Sequence, residues 1–375
     1  MVHATGQPLL QRTKEQEQRP VVTDGTRSVS VPGSRLVIKY AFLSQRGYYP
    51  DAPDKANQDT CCATEQLGGH ADQHFFGVFD GHGECGSECA VFAKEKIPHL
   101  LAKDKNLATV PEHALHSTMV AVNWQLHRSN IDDSLSGSTA CAALVKGSTM
   151  YVANVGDSRA VLAEVKAGKL VARDLTWDQT PFREDECERV LKAGARVLTL
   201  DQLEGIKDPE VRCWTNEADC DGDPPRLWAP GGVYPGTAFT RSIGDAGKLS
   251  PPSCQGSAED IGVIADPEIT IVKLQADQPF AILATDGVWE FISSQKAVDI
   301  VSRCSSPYEA AKAVVAAAYK MWLQHETRTD DITCLVLFFS GLESKSKERV
   351  SVAASSGHAA AVAAAAHAAG SHAGL

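Results

Sequence analysis

The sequence predicts an α+β fold, a four-layer αββα sandwich with two central, mainly antiparallel β-sheets and helices on the outside. Three observations lead there. Short apolar runs recur at hairpin spacing, two groups of helical segments carry apolar residues three and four apart, and polar or low-complexity ends flank the apolar-rich middle. With 375 residues, 43% of them hydrophobic and 22% charged, the chain can build a large core.

Residues 1–34 are rich in Gln, Arg, Ser and Pro, lack a sustained apolar period, and read as a flexible lead-in. A folded domain is expected over 35–341, followed by a low-complexity Ala-rich tail over 342–375. Strands are expected over 36–42, 60–64, 74–79, 139–145, 150–155, 160–165, 269–273, 280–284 and 332–339. Lys146-Gly147-Ser148-Thr149 separates two of these runs at hairpin spacing, which argues for antiparallel pairing. Helices are expected over 87–103, 112–130, 183–192, 294–304 and 307–324. In the last two, Val301, Ala310, Ala313, Val314, Ala317, Ala318 and Met321 mark one apolar side.

The composition excludes several function classes. The net charge is −11, from 36 basic and 47 acidic side chains, and no basic block or aromatic-basic stripe supports nucleic-acid binding. No apolar stretch reaches the roughly 18 residues of a membrane span. The polar N-terminus lacks a secretory core and a glycine at position 2, so a cytoplasmic or nuclear monomer is expected. Eleven cysteines, an odd number without CxxC pairs, read as reduced thiols. Cys85 with Cys89, and Cys213 with Cys220, lack the second pair of soft ligands that zinc needs.

Chemistry is concentrated where strands begin or end. The run Phe75-Phe76-Gly77-Val78-Phe79 delivers Asp80-Gly81-His82-Gly83, 280–285 runs into Asp286-Gly287, and 151–155 runs into Gly156-Asp157. At the other polarity, Asp330-Asp331 precede the strand 332–339, and Asn57-Gln58-Asp59 precede 60–63. A single such aspartate is an ordinary turn former. Antiparallel neighbours, however, bring one strand's start beside another's end, so Asp80, Asp286 and Asp330 are expected to meet at one edge. Clustered carboxylates repel one another unless a cation resolves the conflict, and all-oxygen donors favour Mg²⁺ or Mn²⁺. Gly81 fits a carbonyl ligand. Two ions sharing a carboxylate can acidify water and stabilise displacement at phosphorus, and His82 is then placed to protonate the leaving oxygen.

With these residues in place, the chain resembles the PP2C-type metal-dependent protein serine/threonine phosphatases. The likeness rests on 57–59, 79–83, Ser136-Gly137-Ser138-Thr139-Ala140, Gly156-Asp157-Ser158-Arg159, Thr240-Arg241-Ser242-Ile243-Gly244-Asp245, Asp286-Gly287-Val288-Trp289 and Asp330-Asp331-Ile332-Thr333, all in the family's order. Through 44–50, 178–183 and 326–331 it is most similar to the phosphatase part of plant and algal proteins that fuse it to cyclic-nucleotide-binding and kinase domains. The resemblance implies that Asp80 bridges two Mg²⁺ or Mn²⁺ ions, Gly81 offers its carbonyl to one, and Asp286 and Asp330 hold the other. It implies a weaker third ion at Asp157 with Asp286, an outer or water-mediated place for Asp59, and His82 as general acid.

Three positions depart from the family pattern. Gln58 stands where many relatives have Glu, Glu290 where Asp is usual, and Asp54 where a basic residue often binds phosphate, which makes the adjacent Lys55 the phosphate-binding candidate. The stretch 200–235 falls where the family carries a variable flap, the expected seat of substrate choice. Its tryptophans read equally well as packing residues. The implied activity is hydrolysis of phosphoserine and phosphothreonine in phosphoprotein substrates. Against a catalytically silent phosphatase-like module that binds phosphoproteins stands the presence of all three of Asp80, Asp286 and Asp330, while metal-dependent hydrolysis of small phosphate esters stays open.

Overall fold

Strands dominate the order of elements because the apolar runs are too short for helices and are closed by turn residues. The computed structural model describes residues 21–22, 25–212, 214, 223–246 and 258–342. In chain order the first strands are β1 (Val21–Val22), β2 (Arg27–Ser30), β3 (Val37–Gln45), β4 (Asp59–Thr64), β5 (Gln73–His82), β6 (Gly137–Ser138), β7 (Ala140–Lys146), β8 (Thr149–Val155), β9 (Arg159–Lys166) and β10 (Lys169–Asp174). They are followed by β11 (Arg196–Leu198), β12 (Arg226–Trp228), β13 (Pro235–Thr237), β14 (Ile243–Gly244), β15 (Glu268–Lys273), β16 (Phe280–Ala284) and β17 (Ile332–Ser340). All the described residues belong to one unit, Met1–Ser344.

Among them, sheet I has the order β1-β3-β17-β16-β9-β10 with β2 on β3, and sheet II has β14-β6-β5-β7-β8-β15 with β4 on β5. Every pairing in both sheets is antiparallel, as the hairpin spacing predicts. The last strand, β17, lies between β3 and β16, so the C-terminal end of the domain fills the middle of sheet I.

Alternation along the strands explains the layers. Phe76 and Val78 of β5 join Ile38, Leu162 and Leu335 in the core between the sheets, whereas Phe75 and Phe79 turn outward. The outward face of sheet II packs on the helices Gly86–Leu101 and Pro111–Leu126 through residues such as Ile97, Leu115 and Met119. On sheet I, Val161, Ile282 and Val336 meet Val298 of Ser294–Val301 and Val314 and Trp322 of Pro307–His325. That last helix starts where Ser306 accepts the Glu309 N–H at 3.2 Å and Pro307 supplies a preset first turn. The four layers expected from the sequence are therefore present.

The differences are local. The sheet begins earlier than residue 35: Arg27–Ser30 pairs with β3, and Val29 and Val31 enter the core. Val21–Val22 and Arg27–Ser30, inside the expected lead-in, are thus strands of sheet I. The helix expected to reach 130 ends at Leu126, where Asn123 and Asp133 both engage the next side chain, His127. Around the stretch 200–235, β11, β12 and β13 form a small separate sheet. Trp214 and Leu227 are buried there with Val190 and Ile261, and Trp228 is buried too. Cys213 and Cys220 lie outside the described residues, as do 1–20 and the tail beyond 342. The described cysteines are all free, and no helix among the described residues is long and apolar enough to cross a membrane.

Candidate metal centre

Three backbone events deliver carboxylates to one edge of the sandwich. In sheet II, β4 and β5 run antiparallel with Asp59 directly opposite Asp80. In sheet I, Ala284 of β16 stands opposite Cys334 of β17, so Asp286, just past one strand, and Asp330, just before the other, fall at the same end. Asp157 occupies the turn that carries the chain from β8 in one sheet to β9 in the other, where Arg159 stands opposite Ala284. Gly156 makes that turn feasible. Its φ is +100°, and a Cβ there would come within 2.7 Å of the Thr139 methyl.

Electrostatics joins the five groups into one site. Burial pushes the Asp80 carboxyl well above the usual carboxylate range, and Asp59, Asp286, Asp330 and Asp157 push it further. Asp286 is raised in the same way, by burial first and then by Asp157 and Asp330, and it lies within hydrogen-bonding range of Asp80. Asp59 is pushed up to about 8, by burial and then by Asp331, against hydrogen bonds from Thr285 and Thr333. The Thr285 hydroxyl donates to Asp59 Oδ2 at 2.7 Å, while Asp59 Oδ1 and Asp286 Oδ1 are buried with no hydrogen-bond partner. Orphaned buried acceptors are costly, and here they sit among like charges. An all-oxygen donor set with this conflict fits a hard divalent cation.

The neighbouring residues brace the cluster. Asp331 is spent on the backbone, accepting the Gly47 and Gln58 N–H groups at 2.7 Å each. The Gln58 amide donates to the Gly83 carbonyl at 2.6 Å, which gives the neutral side chain a role in holding the Asp-Gly-His-Gly turn. Gly81 is pressed between backbones: a Cβ would meet the Gly86 carbonyl carbon at 2.5 Å and the Gln58 oxygen at 2.8 Å. His82, 24% exposed in its side chain, holds Asp245 Oδ2 through Nε2 at 2.8 Å, and its ring lies 4.4 Å from that of Phe239. Asp245, only 2% exposed, is the partner that sequence reasoning missed, although it closes a recognised motif.

Lys55 is held on the face of an aromatic ring. Its ammonium lies 4.1 Å above the Tyr49 ring; burial raises the Asp331 carboxyl above its usual range, against the Gly47 and Gln58 N–H groups and Lys55, which oppose the rise. Glu290 is exposed at the end of the short helix Asp286–Trp289. A second acidic group, Asp185, Glu186 and Glu268, has ligand atoms within 4.8 Å of one another, but arginines balance it. Arg183 pairs with Glu268 at 2.8 Å, and Arg189 and Arg241 each pair with Glu186 at 2.7 Å. Burial raises Glu186, yet hydrogen bonds from Arg241, Arg189 and Thr240 outweigh it and hold the carboxyl at about 2. It is an ion-pair network, with its charge already compensated.

Comparison with known proteins gives a consistent set of relatives. Residues 53–327 match the family described as Protein phosphatase 2C. Probable protein phosphatase 2C 35 of Arabidopsis thaliana is 51% identical over 324 residues, covering 86% of this chain and 89% of that protein. Probable protein phosphatase 2C 64 of Oryza sativa subsp. japonica is 35% identical over 297 residues, 76% of this chain and 63% of its own. Among solved structures, a serine-threonine phosphatase 2C from Toxoplasma gondii superposes with a TM-score of 0.64 over 86% of this chain and 99% of that one. Its sequence identity is 18%, so that likeness speaks for the fold.

Proposed function

Because the chain belongs to the protein phosphatase 2C family and is a protein phosphatase, we propose that it hydrolyses phosphoserine and phosphothreonine in proteins by a two-cation mechanism with His82 as general acid. The observation that carries this reading is the convergence of Asp59, Asp80, Asp157, Asp286 and Asp330 with two orphaned carboxylate oxygens. Asp80, the Gly81 carbonyl, Asp286 and Asp330 would hold two ions, Mg²⁺ or Mn²⁺, and Asp157 with Asp286 would hold a weaker third. Asp59, whose Oδ2 accepts the Thr285 hydroxyl, would take an outer or water-mediated place beside those ions. When bound, such ions supply acidified water and neutralise phosphoryl oxygens.

The rest of the chemistry belongs to side chains of this chain. Asp245 occupies Nε2 of His82 and fixes the ring, which leaves Nδ1 to give a proton to the departing serine or threonine oxygen. Lys55 binds a phosphate oxygen as a compact point charge. The motifs at 44–50, 178–183 and 326–331 further support kinship with the phosphatase part of the plant and algal fusion proteins.

The decisive assay is hydrolysis of a phosphothreonine peptide with Mn²⁺ or Mg²⁺, after chelation, and after metal is restored. Activity should vanish on chelation and return with the ion; a peptide bound but never cleaved, or cleaved equally without metal, refutes the reading. For His82→Ala, the expected loss is about a hundredfold or more on the phosphothreonine peptide, whose alkoxide leaves poorly. On an aryl phosphate, which needs no proton, the loss should be much smaller. Equal losses on both substrates would remove the histidine's role as acid.

A further inference from the structure

Two stretches that the sequence sets apart, 44–50 and 326–331, interlock in space. The Tyr48 N–H donates to Thr329 Oγ1 at 2.7 Å, and the Thr329 N–H donates to the Tyr48 carbonyl at 3.0 Å. Gly47 lies so close that a Cβ would stand 2.6 Å from the Thr329 carbonyl oxygen. Arg46 closes the loop that follows, donating to the Ala52 carbonyl at 3.2 Å, to the Pro53 carbonyl at 2.8 Å and to the Lys55 carbonyl. Tyr49 is therefore held on a rigid support between the two stretches.

Its two ends face different partners. The Tyr49 hydroxyl donates to Asp330 Oδ1 at 2.7 Å and accepts the Asp331 N–H at 3.1 Å. The Asp331 N–H also reaches Asp330 Oδ1, at 2.8 Å, so two donors converge on one carboxylate oxygen and restrict its rotation. The ring face carries the Lys55 ammonium at 4.1 Å, with the Arg46 guanidinium 5.6 Å from the same ring.

We propose that Tyr49 is a positioning residue with two duties: its hydroxyl fixes the Asp330 carboxylate that would hold a cation, and its ring holds Lys55, the side chain proposed to bind phosphate. The inference rests on the metal and phosphate roles assigned above to Asp330 and Lys55. It makes one aromatic side chain the link between the cation site and the substrate site.

The test is Mn²⁺ titration calorimetry on the whole chain, alongside phosphopeptide kinetics at saturating Mn²⁺. Tyr49→Phe keeps the ring and loses the hydroxyl; Mn²⁺ should bind about tenfold more weakly with KM unchanged. Tyr49→Leu should show the same loss of Mn²⁺ affinity plus a KM about threefold higher. Unchanged Mn²⁺ affinity in Tyr49→Phe overturns the role of the hydroxyl, and equal KM in the two variants overturns that of the ring. A wild-type chain that binds no Mn²⁺ at all would instead overturn the metal reading beneath both.

Discussion

Replacing Asp80 with Asn is expected to abolish Mn²⁺-dependent hydrolysis of a phosphothreonine peptide, a loss of at least about a thousandfold, while raising the melting temperature of the chelated protein. The two effects share one cause. Asp80 stands among four other carboxylates and is itself raised by burial, so its ionised form works against the folded state unless a cation is bound. A neutral isostere relieves that repulsion and loses the charge that cation binding needs. The sign follows from linkage: a folded pKa above the unfolded value means stability that is fully present below the unfolded pKa and is lost as pH rises through the folded one. For Asp59 that window runs from its ordinary value of 3.8 to about 8. In chelator the wild-type fold should therefore weaken across this range, and Mn²⁺ should restore it by mass action. Thermal melts of both proteins with chelator and with Mn²⁺ decide the matter. Retained activity in Asp80→Asn, or a lower melting point in chelator, contradicts the cluster's assigned role.

Gly81→Ala is expected to cost about 3 kcal/mol of stability, seen as a melting temperature lower by roughly 6 °C, and to remove most activity. The added methyl would enter the space of the Gly86 carbonyl and the Gln58 backbone oxygen, and neither is the yielding tip of a flexible side chain. Relief requires β5 to part from the start of the helix Gly86–Leu101, and that movement displaces Asp80 and His82 with it. Gly232→Ala is the matched control. Its nearest neighbour would be the Ala229 methyl at 3.6 Å, an ordinary contact, so its melting point should stay within about a degree. A Gly81→Ala protein as stable as the control would show that this crowding is readily absorbed.

The strands most plainly legible in the sequence are those buried on both faces. β5, β16 and β17 announce themselves as unbroken apolar runs, and the carboxylates at their ends were legible for the same reason. Arg27–Ser30 and Lys169–Asp174 are edge strands with polar residues in half or more of their positions, so they carry too little apolar signal. Three-residue strands such as Arg196–Leu198 are shorter than any period can reveal. At the site, the strand-end position singled out Asp80, Asp286 and Asp330, but nothing local tells Asp330, held by Tyr49, from Asp331, turned to the backbone of Gly47 and Gln58. Asp245 was equally silent. It meets His82 only after β14 and β5 have both paired with β6.

The place of β17 has a consequence for the order in which the protein becomes competent. The last strand among the described residues is a central one: until residues 332–340 leave the ribosome, β3 and β16 have no neighbour between them and their facing backbone groups stay unpaired. Asp330 arrives at the same moment, immediately ahead of that strand. Closure of sheet I and completion of the acidic edge are thus a single late event, and a nascent chain stays inert toward phosphoproteins until nearly all of the domain has been synthesised.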